Sequence, residues 1–198
     1  MDIKLTQGNK KLGKDTFIMN ITSATNCPSA KLGLCEVIKE KDGSINTWNC
    51  YAFRPEKFYP NCLPFREAQT RIFENTSGKD LANQIILKAN SKRTNLINYL
   101  RFSESGDFRK QEDITRMGVI SELIKEANIS TYGYTARHDL SYDNKPKSLV
   151  INGQGFMVDN KINVVDSIQG LKNVCPGNCR SCDLCKVPGK REINILRH

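Results

Sequence analysis

The highest density of potentially metal-binding side chains in the chain is a run of four cysteines in CPGNCRSCDLC: Cys175, Cys179, Cys182 and Cys185. Four thiols within eleven residues are too crowded for ordinary core packing, but they can converge on one point, as a tetrahedral zinc ion or an iron–sulfur cluster requires. Disulfides are the competing interpretation. They are typical of short secreted chains, however, and this chain begins MDIKLTQGNKK without an apolar signal segment. The run therefore predicts a metal site and leaves zinc or iron–sulfur open.

The other four cysteines, Cys27, Cys35, Cys50 and Cys62, are spread over 36 residues. Isolated cysteines are usually small buried hydrophobes, so their spacing alone is a weak signal. Their context is stronger, because Cys27 follows a predicted strand and Cys50 opens a Cys-Tyr-Ala tripeptide. We predict a metal or cluster in the loop that follows the first strand. Three thiolates would leave one iron open for a ligand, and Cys62 as a fourth would close the site.

A carboxylate pair follows a second strand candidate. In LRFSESGDF, Glu104 and Asp107 come after Arg101 and flank a glycine that permits a tight turn. Carboxylates beside an arginine can bind a nucleobase edge or act as an acid/base pair. The alternative is a polar loop in which Asp107 stands near a helix start.

Aromatic and cationic side chains lie close together at two further places. In TYGYTARHDL, Tyr134 and Arg137 combine a stacking face with a charge that suits phosphate. Alternating tyrosines in a strand are equally typical of half-buried packing. Tyr51, next to Cys50, is placed either to line a cluster pocket or to solvate the loop.

The elements that must position these residues alternate between strands and helices. Strand composition is found at 16–22, 98–103, 131–136, 148–152 and 162–165, and helical patterns at 65–73, 81–89 and 113–127. This order favours an α/β fold, with a partial or irregular (β/α) barrel-like parallel sheet and cysteine-rich metal-binding loops at 26–64 and 175–185. In such sheets the catalytic and ligand-binding residues lie in the loops that follow the carboxyl ends of the strands. The NGQG segment at 152–155 predicts a hairpin turn or a ligand-facing loop.

Size and charge describe one ordinary domain over residues 1–198. The chain is 38% hydrophobic and 26% charged, and no apolar run approaches the length of a membrane span. We therefore expect a soluble, cytoplasmic protein with no membrane partner. A net charge of +9 favours an anionic partner, with nucleic acid as the first candidate, although surface lysines also serve solubility. The oligomeric state stays open.

Five runs of the chain together resemble the bacteriophage gene-product-88 family. They are TFIMNITSATNCPSAKLGLC, NCYAFRPEKFYPNCLPFREAQ, LRFSESGDF, YGYTARHDL and CPGNCRSCDLC. The runs cover much of the chain, so the resemblance is more specific than any single motif. It implies a phage origin more firmly than a reaction.

The first cysteine set is similar, more distantly, to that of the radical-SAM superfamily and of phage proteins with a loop ending in Cys-Tyr-Ala. There, a cluster loop follows the first strand of a barrel, and an aromatic residue follows the last cysteine. Cys27, Cys35, Cys50 and Tyr51 occupy comparable places. The resemblance implies a 4Fe–4S cluster, with S-adenosylmethionine (SAM) as cosubstrate. The tight CxxxCxxC spacing occurs at 175–182 instead, and there is no Gly-Gly-Glu-like segment, so a cluster without SAM stays open.

The second set is similar to the zinc site of the tRNA-guanine transglycosylases and of their phage relatives that insert 7-deazaguanines into DNA. These barrels hold a structural zinc with clustered cysteines and a later histidine, a place that His198 would take. SESGDF resembles their Asp-Ser-Gly-Gly-Phe base-binding segment, with Glu104 in place of the aspartate. Asp166 lies where such an enzyme could carry its nucleophile, so the resemblance implies Glu104, Asp107 and Asp166 as catalytic carboxylates.

Three hypotheses follow. The first is an iron–sulfur enzyme with a radical-SAM-like loop that acts on nucleic acid or a nucleobase. The second is a zinc-containing DNA 7-deazaguanine transglycosylase-like enzyme. The third is a non-enzymatic, metal-stabilised nucleic-acid-binding protein.

Overall fold

One seven-stranded sheet organises residues 2–92 and 96–197, the parts of the chain that the computed structural model describes. The strands are β1 (Thr6–Gln7), β2 (Thr16–Met19), β3 (Tyr99–Phe102), β4 (Ser130–Thr135), β5 (Leu149–Gln154), β6 (Asn160–Val165) and β7 (Glu192–Leu196). They pair in chain order, antiparallel between β1 and β2 and parallel from β2 to β7. The predicted α/β fold with a mainly parallel sheet is confirmed. The sheet is an open, partial barrel and does not close.

Five α-helices accompany the sheet in the described ranges: α1 (Pro28–Lys31), α2 (Phe53–Phe58), α3 (Cys62–Asn75), α4 (Gly78–Asn90) and α5 (Gln111–Lys125). The predicted cysteine loop is more structured than expected, because it contains α1, α2 and two 3₁₀ turns, Glu36–Ile38 and Thr47–Asn49. Predicted helix 65–73 is longer and begins at Cys62. None of the helices in the described part of the chain is long and apolar enough to cross a membrane.

The helices α4 and α5 cover one face of the sheet. Alternate strand residues such as Phe17, Leu100 and Ile151 join the apolar stripes of these helices in the main core. Gly133 on β4 lies directly under the Phe102 ring, where an added Cβ would come within 2.5 Å of ring carbons. A glycine is required there because β3 and β4 pair Phe102 with that position.

The opposite face of the sheet is covered by the C-terminal cysteine segment rather than by helices. The Asn152 amide donates to the carbonyl of Cys185 at 2.9 Å, and the Asn160 amide donates to the carbonyl of Val187 at 3.0 Å. Lys186 lies 4.3 Å from the centroid of the Tyr99 ring, in cation–π contact. The segment between β6 and β7 therefore folds back across β3 to β6.

The hairpin predicted at 152–155 is wrong, because β5 and β6 are parallel. Asn152 pairs with Asn160, so residues 155–159 carry the chain back to the start of the next strand. Gly155, with φ +79°, supplies the left-handed conformation that this reversal needs. The tight connection leaves Gln154 at the carboxyl edge of the sheet.

Candidate functional site

Three thiols of the N-terminal loop line one cavity of about 150 Å³. Cys27 lies directly before α1, Cys35 directly before the first 3₁₀ turn and Cys50 directly after the second. Each of the three has an extended backbone next to a short helical turn, and these turns bring positions that are far apart in sequence to one place. The wall also includes residues that follow β3 and β4, so the cavity lies at the carboxyl edge of the sheet.

Cys62 lies apart from the other three. It begins α3 and is not among the residues that line the cavity. Burial raises its pKa, and the nearby Arg66 lowers it. In the described structure, three cysteines of the first set therefore share the cavity and the fourth, Cys62, lies outside it.

Two of the cavity thiols, Cys27 and Cys35, are partly shielded from water. Burial, reinforced by the negative charge of Asp107, raises the pKa of Cys27 to about 12. Burial also raises the pKa of Cys35 to about 11, and the charge of Cys50 adds to the effect. Without a cation these two thiols are protonated at neutral pH, so metal binding would release their protons.

Glu56 fixes the start of the cysteine loop. Its carboxylate accepts hydrogen bonds from the backbone N–H groups of Ala24 at 2.7 Å and Thr25 at 2.8 Å, and from the Ser105 hydroxyl at 3.0 Å. Arg66 of α3 forms a buried ion pair with it at 2.8 Å. Burial raises the pKa of Glu56, but the bonds from Ala24, Arg66 and Thr25 more than offset this and leave the pKa below its ordinary value.

Asp107 and Glu104 both line the cavity, but they differ in environment. The Asp107 carboxylate is buried and accepts from Ser29 Oγ at 2.5 Å and from the backbone N–H of Ala136 at 2.8 Å. Burial raises its pKa, and these bonds counteract the rise. Asp107 thereby ties α1, which begins beside Cys27, to the end of β4. Glu104 accepts a hydrogen bond from the Asn9 amide at 2.5 Å.

Two other predicted residues lie outside the cavity. Asp166 follows β6, is 70% exposed and accepts a hydrogen bond from Arg197 Nε at 3.0 Å. Arg137 is buried, pairs with Asp139 at 2.8 Å and donates to the carbonyl of Phe108. Its contacts hold the loop after β4 to the loop after β3. His198, a predicted ligand, lies outside the described residues.

The second cysteine set forms a group of its own on the opposite face of the sheet. The backbone N–H of Cys175 donates to the carbonyl of Asn194 on β7, and the backbone N–H of Cys179 donates to the carbonyl of Lys11. Burial raises the pKa of Cys185 to about 11, the Tyr134 hydroxyl lowers it, and the charges of the other three thiols raise it. The other three sulfurs of the set are therefore near enough to Cys185 to influence its pKa.

Tyr134 and Arg101 connect the two cysteine groups. Tyr134 lines the first cavity, and its hydroxyl is near enough to Cys185 of the second set to lower the pKa of that thiol. The Arg101 guanidinium lies 5.1 Å from the centroid of its ring and donates to the Tyr51 hydroxyl at 3.3 Å. Arg101 Nε and the Tyr132 hydroxyl are buried and have no hydrogen-bond partner in the described part of the chain. These predicted pocket residues thus lie between the two sets.

Neither group is pre-shaped as a finished coordination site. Within 2–92 and 96–197, no three Cys, His, Asp or Glu side chains are arranged to hold a metal ion. The donor chemistry nevertheless fits a soft metal or cluster, because three thiols line one cavity and four more lie within eleven residues of the chain. Ligation would need the thiols to lose protons and turn toward a common centre.

Two further residues at these sites were not predicted from the sequence. Ser103 lines the first cavity, and Lys186 lies beside the second cysteine set. Gln154, from the segment predicted to form a hairpin turn or a ligand-facing loop, also lines the cavity. Ser103 has φ +54°, and its buried hydroxyl has no partner among the described residues. Ser103 could have been found by applying the carboxyl-edge rule to every strand end. Lys186 carried no comparable signal.

An open, mainly parallel α/β sheet with a cysteine-lined cavity at its carboxyl edge defines the class of this protein. The chain belongs to the Gene product 88 family, whose sequence profile matches residues 3–152, and this supports the phage origin that the sequence indicated. No curated protein and no solved structure matches the chain. The matched range contains the whole first cysteine set and ends before the second.

Proposed function

We propose that this protein is an iron–sulfur enzyme that acts on nucleic acid or a nucleobase, with a cluster held by Cys27, Cys35 and Cys50. The observation that carries the proposal is the placement of these thiols on one cavity at the carboxyl edge of an open parallel sheet. Ligands of such sheets bind beyond the carboxyl ends of the strands. Three thiolates would leave one iron of a 4Fe–4S cluster open to a substrate, or to a cosubstrate such as SAM.

The protein's own residues have distinct parts in this proposal. Glu56 and Asp107 hold the two ends of the segment 24–29 and so position Cys27. Glu104 lines the cavity and is better placed than Asp107 for proton transfer, because it is less buried and accepts one side-chain hydrogen bond where Asp107 accepts three. The free hydroxyl of Ser103 would serve as a hydrogen-bond partner for the bound group.

The second cysteine set suits a closed, four-thiolate site for zinc or a second cluster. Four thiolates around a divalent metal carry net negative charge, and Arg101 and Lys186 both act electrostatically on Cys179. The Tyr134 hydroxyl would donate to a ligating sulfur of Cys185. Such outer-sphere donors tune metal affinity and redox potential.

Nucleic acid is the proposed partner because of charge. The chain carries 30 Lys and Arg residues against 21 Asp and Glu residues, a net charge of +9. The excess lowers the free energy of encounter with a polyanion and makes binding sensitive to salt.

The transglycosylase-like alternative is less well supported. It needs Glu104, Asp107 and Asp166 in one site, whereas only the first two line the cavity and Asp166 pairs with Arg197 at a different strand end. A binding protein without activity would instead give salt-sensitive binding and no product.

Metal and acid-labile sulfide analysis of protein purified without oxygen tests the proposal. We expect iron and sulfide in comparable amounts, with a broad visible absorbance that bleaches on reduction. Colourless protein that contains only zinc, even after reconstitution with iron and sulfide, would overturn the cluster. That result would favour the zinc-containing transglycosylase-like enzyme or the non-enzymatic binding protein.

A further inference from the structure

Aromatic side chains are exposed beside the first cavity. Trp48, Phe58 and Tyr59 are 47%, 68% and 66% exposed, although large aromatics are usually buried on folding. Together with Phe53 we call them the aromatic patch. The ring centroids of Trp48 and Phe53 are 5.4 Å apart, and those of Trp48 and Phe58 are 6.1 Å apart, so these three rings form one continuous surface.

The backbone under the patch is held in place. Asn46 accepts a hydrogen bond from the Trp48 N–H at 3.1 Å, and Arg54 Nε donates to the Trp48 carbonyl at 2.8 Å. Glu56, within α2, is anchored by the buried ion pair with Arg66. A contiguous apolar surface on an ordered segment marks an interaction site.

Within residues 46–59 the exposed charges are cationic, and the Glu40 carboxylate next to them is engaged by the Asn46 and Asn49 amides. Lys57 lies 5.0 Å from the centroid of the Phe53 ring, and Arg54 lies next to Trp48. The carboxylate of Glu56 is fully buried and neutralised by Arg66, so it does not oppose them. Rings interleaved with cations suit nucleobases joined by phosphates, because every base offers a π-face and every phosphate a negative charge.

The position of the patch connects it to the proposed site. Phe53 belongs to the patch and also lines the cavity, next to Tyr51 and Cys50. A cavity of about 150 Å³ has room for a metal group but not for a nucleotide as well. A nucleic-acid substrate would therefore have to lie across the mouth, where the exposed rings are.

We propose that the aromatic patch binds single-stranded nucleic acid by stacking bases on Trp48, Phe58 and Tyr59, with Arg54 and Lys57 contacting phosphates. This inference rests on the proposed function, whose partner it specifies, and it assigns the surface that presents the strand to the cavity. A single strand is the expected form, because the bases of a duplex are already stacked on each other.

The single tryptophan of the chain makes the test direct. Trp48 fluorescence is titrated with an oligothymidylate of about 16 nucleotides and with the corresponding duplex. We expect quenching by the single strand, weaker binding of the duplex, and an affinity that falls steeply with salt. Removing two stacking rings in Phe58→Ala/Tyr59→Ala should weaken binding at least about tenfold. Arg54→Gln/Lys57→Gln should reduce the salt dependence.

Leu87→Ala is the matched control, because Leu87 is 69% exposed on α4, outside the patch. Binding that is absent, or equally strong in Phe58→Ala/Tyr59→Ala and Leu87→Ala, would overturn the inference. Sedimentation in which the wild type self-associates through the patch without binding the strand would do the same. Iron and sulfide are measured on the same samples: cluster without strand binding refutes only this inference, and strand binding without cluster refutes only the proposed enzyme.

Discussion

Glu56 lies where the cysteine loop, α3 and the loop after β3 meet, and its carboxylate accepts hydrogen bonds from all three. The sequence could not predict this role, because Ala24 and Ser105 lie 32 and 49 positions away and only the folded sheet brings them together. The grouping of Cys27, Cys35 and Cys50 was easier to predict, because cysteine is among the few residue types that bind soft metals. Cys62 shows the limit of that argument: its spacing fits the set, but its place at the start of α3 removes it from the cavity.

Replacing Glu56 with Gln should destabilise the fold by about 3–5 kcal/mol, because Arg66 is left buried without a counter-charge. Urea unfolding measures the loss, and Glu112→Gln, at a side chain that is 71% exposed, should change stability by less than about 0.5 kcal/mol. Because the pKa of Glu56 is below its ordinary value, its stabilising effect is present above about pH 4.3 and is lost as the pH falls through the folded-state pKa. Wild type and variant should therefore converge in acid. A constant difference down to low pH would contradict this role.

Replacing Tyr134 with Phe tests the contact with Cys185. The change removes the hydroxyl that lowers the pKa of the Cys185 thiol and keeps the ring beneath Arg101. If the second set binds metal, we expect its affinity to fall about 10- to 100-fold in a chelator competition. Tyr59→Phe is the control, because Tyr59 is 66% exposed and follows α2, outside the second cysteine set. Equal effects of the two substitutions would argue against a specific role of Tyr134.

At the scale of elements, the parallel strands were predictable from the sequence, but the segments that pack on the faces of the sheet were not. Strand composition located β2 to β6 closely, since apolar and β-branched runs are a local signal. The hairpin prediction failed because the Gly-rich segment 152–155 fits either a hairpin or a tight parallel return, and only the pairing of β5 with β6 decides. That the C-terminal segment covers a sheet face depends on long-range bonds from Asn152 and Asn160, which no local pattern reveals.

The contact between β3 and β4 depends on Gly133, and Gly133→Ala should cost about 1–3 kcal/mol through overpacking against Phe102. Thermal or denaturant unfolding measures the change. In a double-mutant cycle, Phe102→Leu should relieve part of this cost, because the smaller side chain makes room for the new methyl group. Strict additivity of the two substitutions would show that the ring is not the cause.

At the scale of the whole molecule, the fold brings Cys27, Cys35 and Cys50 of the first set and Cys185 of the second close to Tyr134. None of the second set lines the cavity of the first. Cys179→Ser/Cys182→Ser should therefore abolish one bound metal and leave the metal of the first loop in place. Metal analysis of the folded variant checks this, with circular dichroism as the control for folding. Loss of both metals from a folded protein would mean one joint site.

The most direct test of the central claim compares Cys50→Ser with Cys62→Ser, both in the Cys179→Ser/Cys182→Ser background. Each protein is reconstituted without oxygen and its iron and sulfide are measured. Because Cys50 lines the cavity and Cys62 does not, we predict that Cys50→Ser loses the cluster and that Cys62→Ser keeps it. Loss in both variants, or retention in both, would contradict a cluster held by Cys27, Cys35 and Cys50.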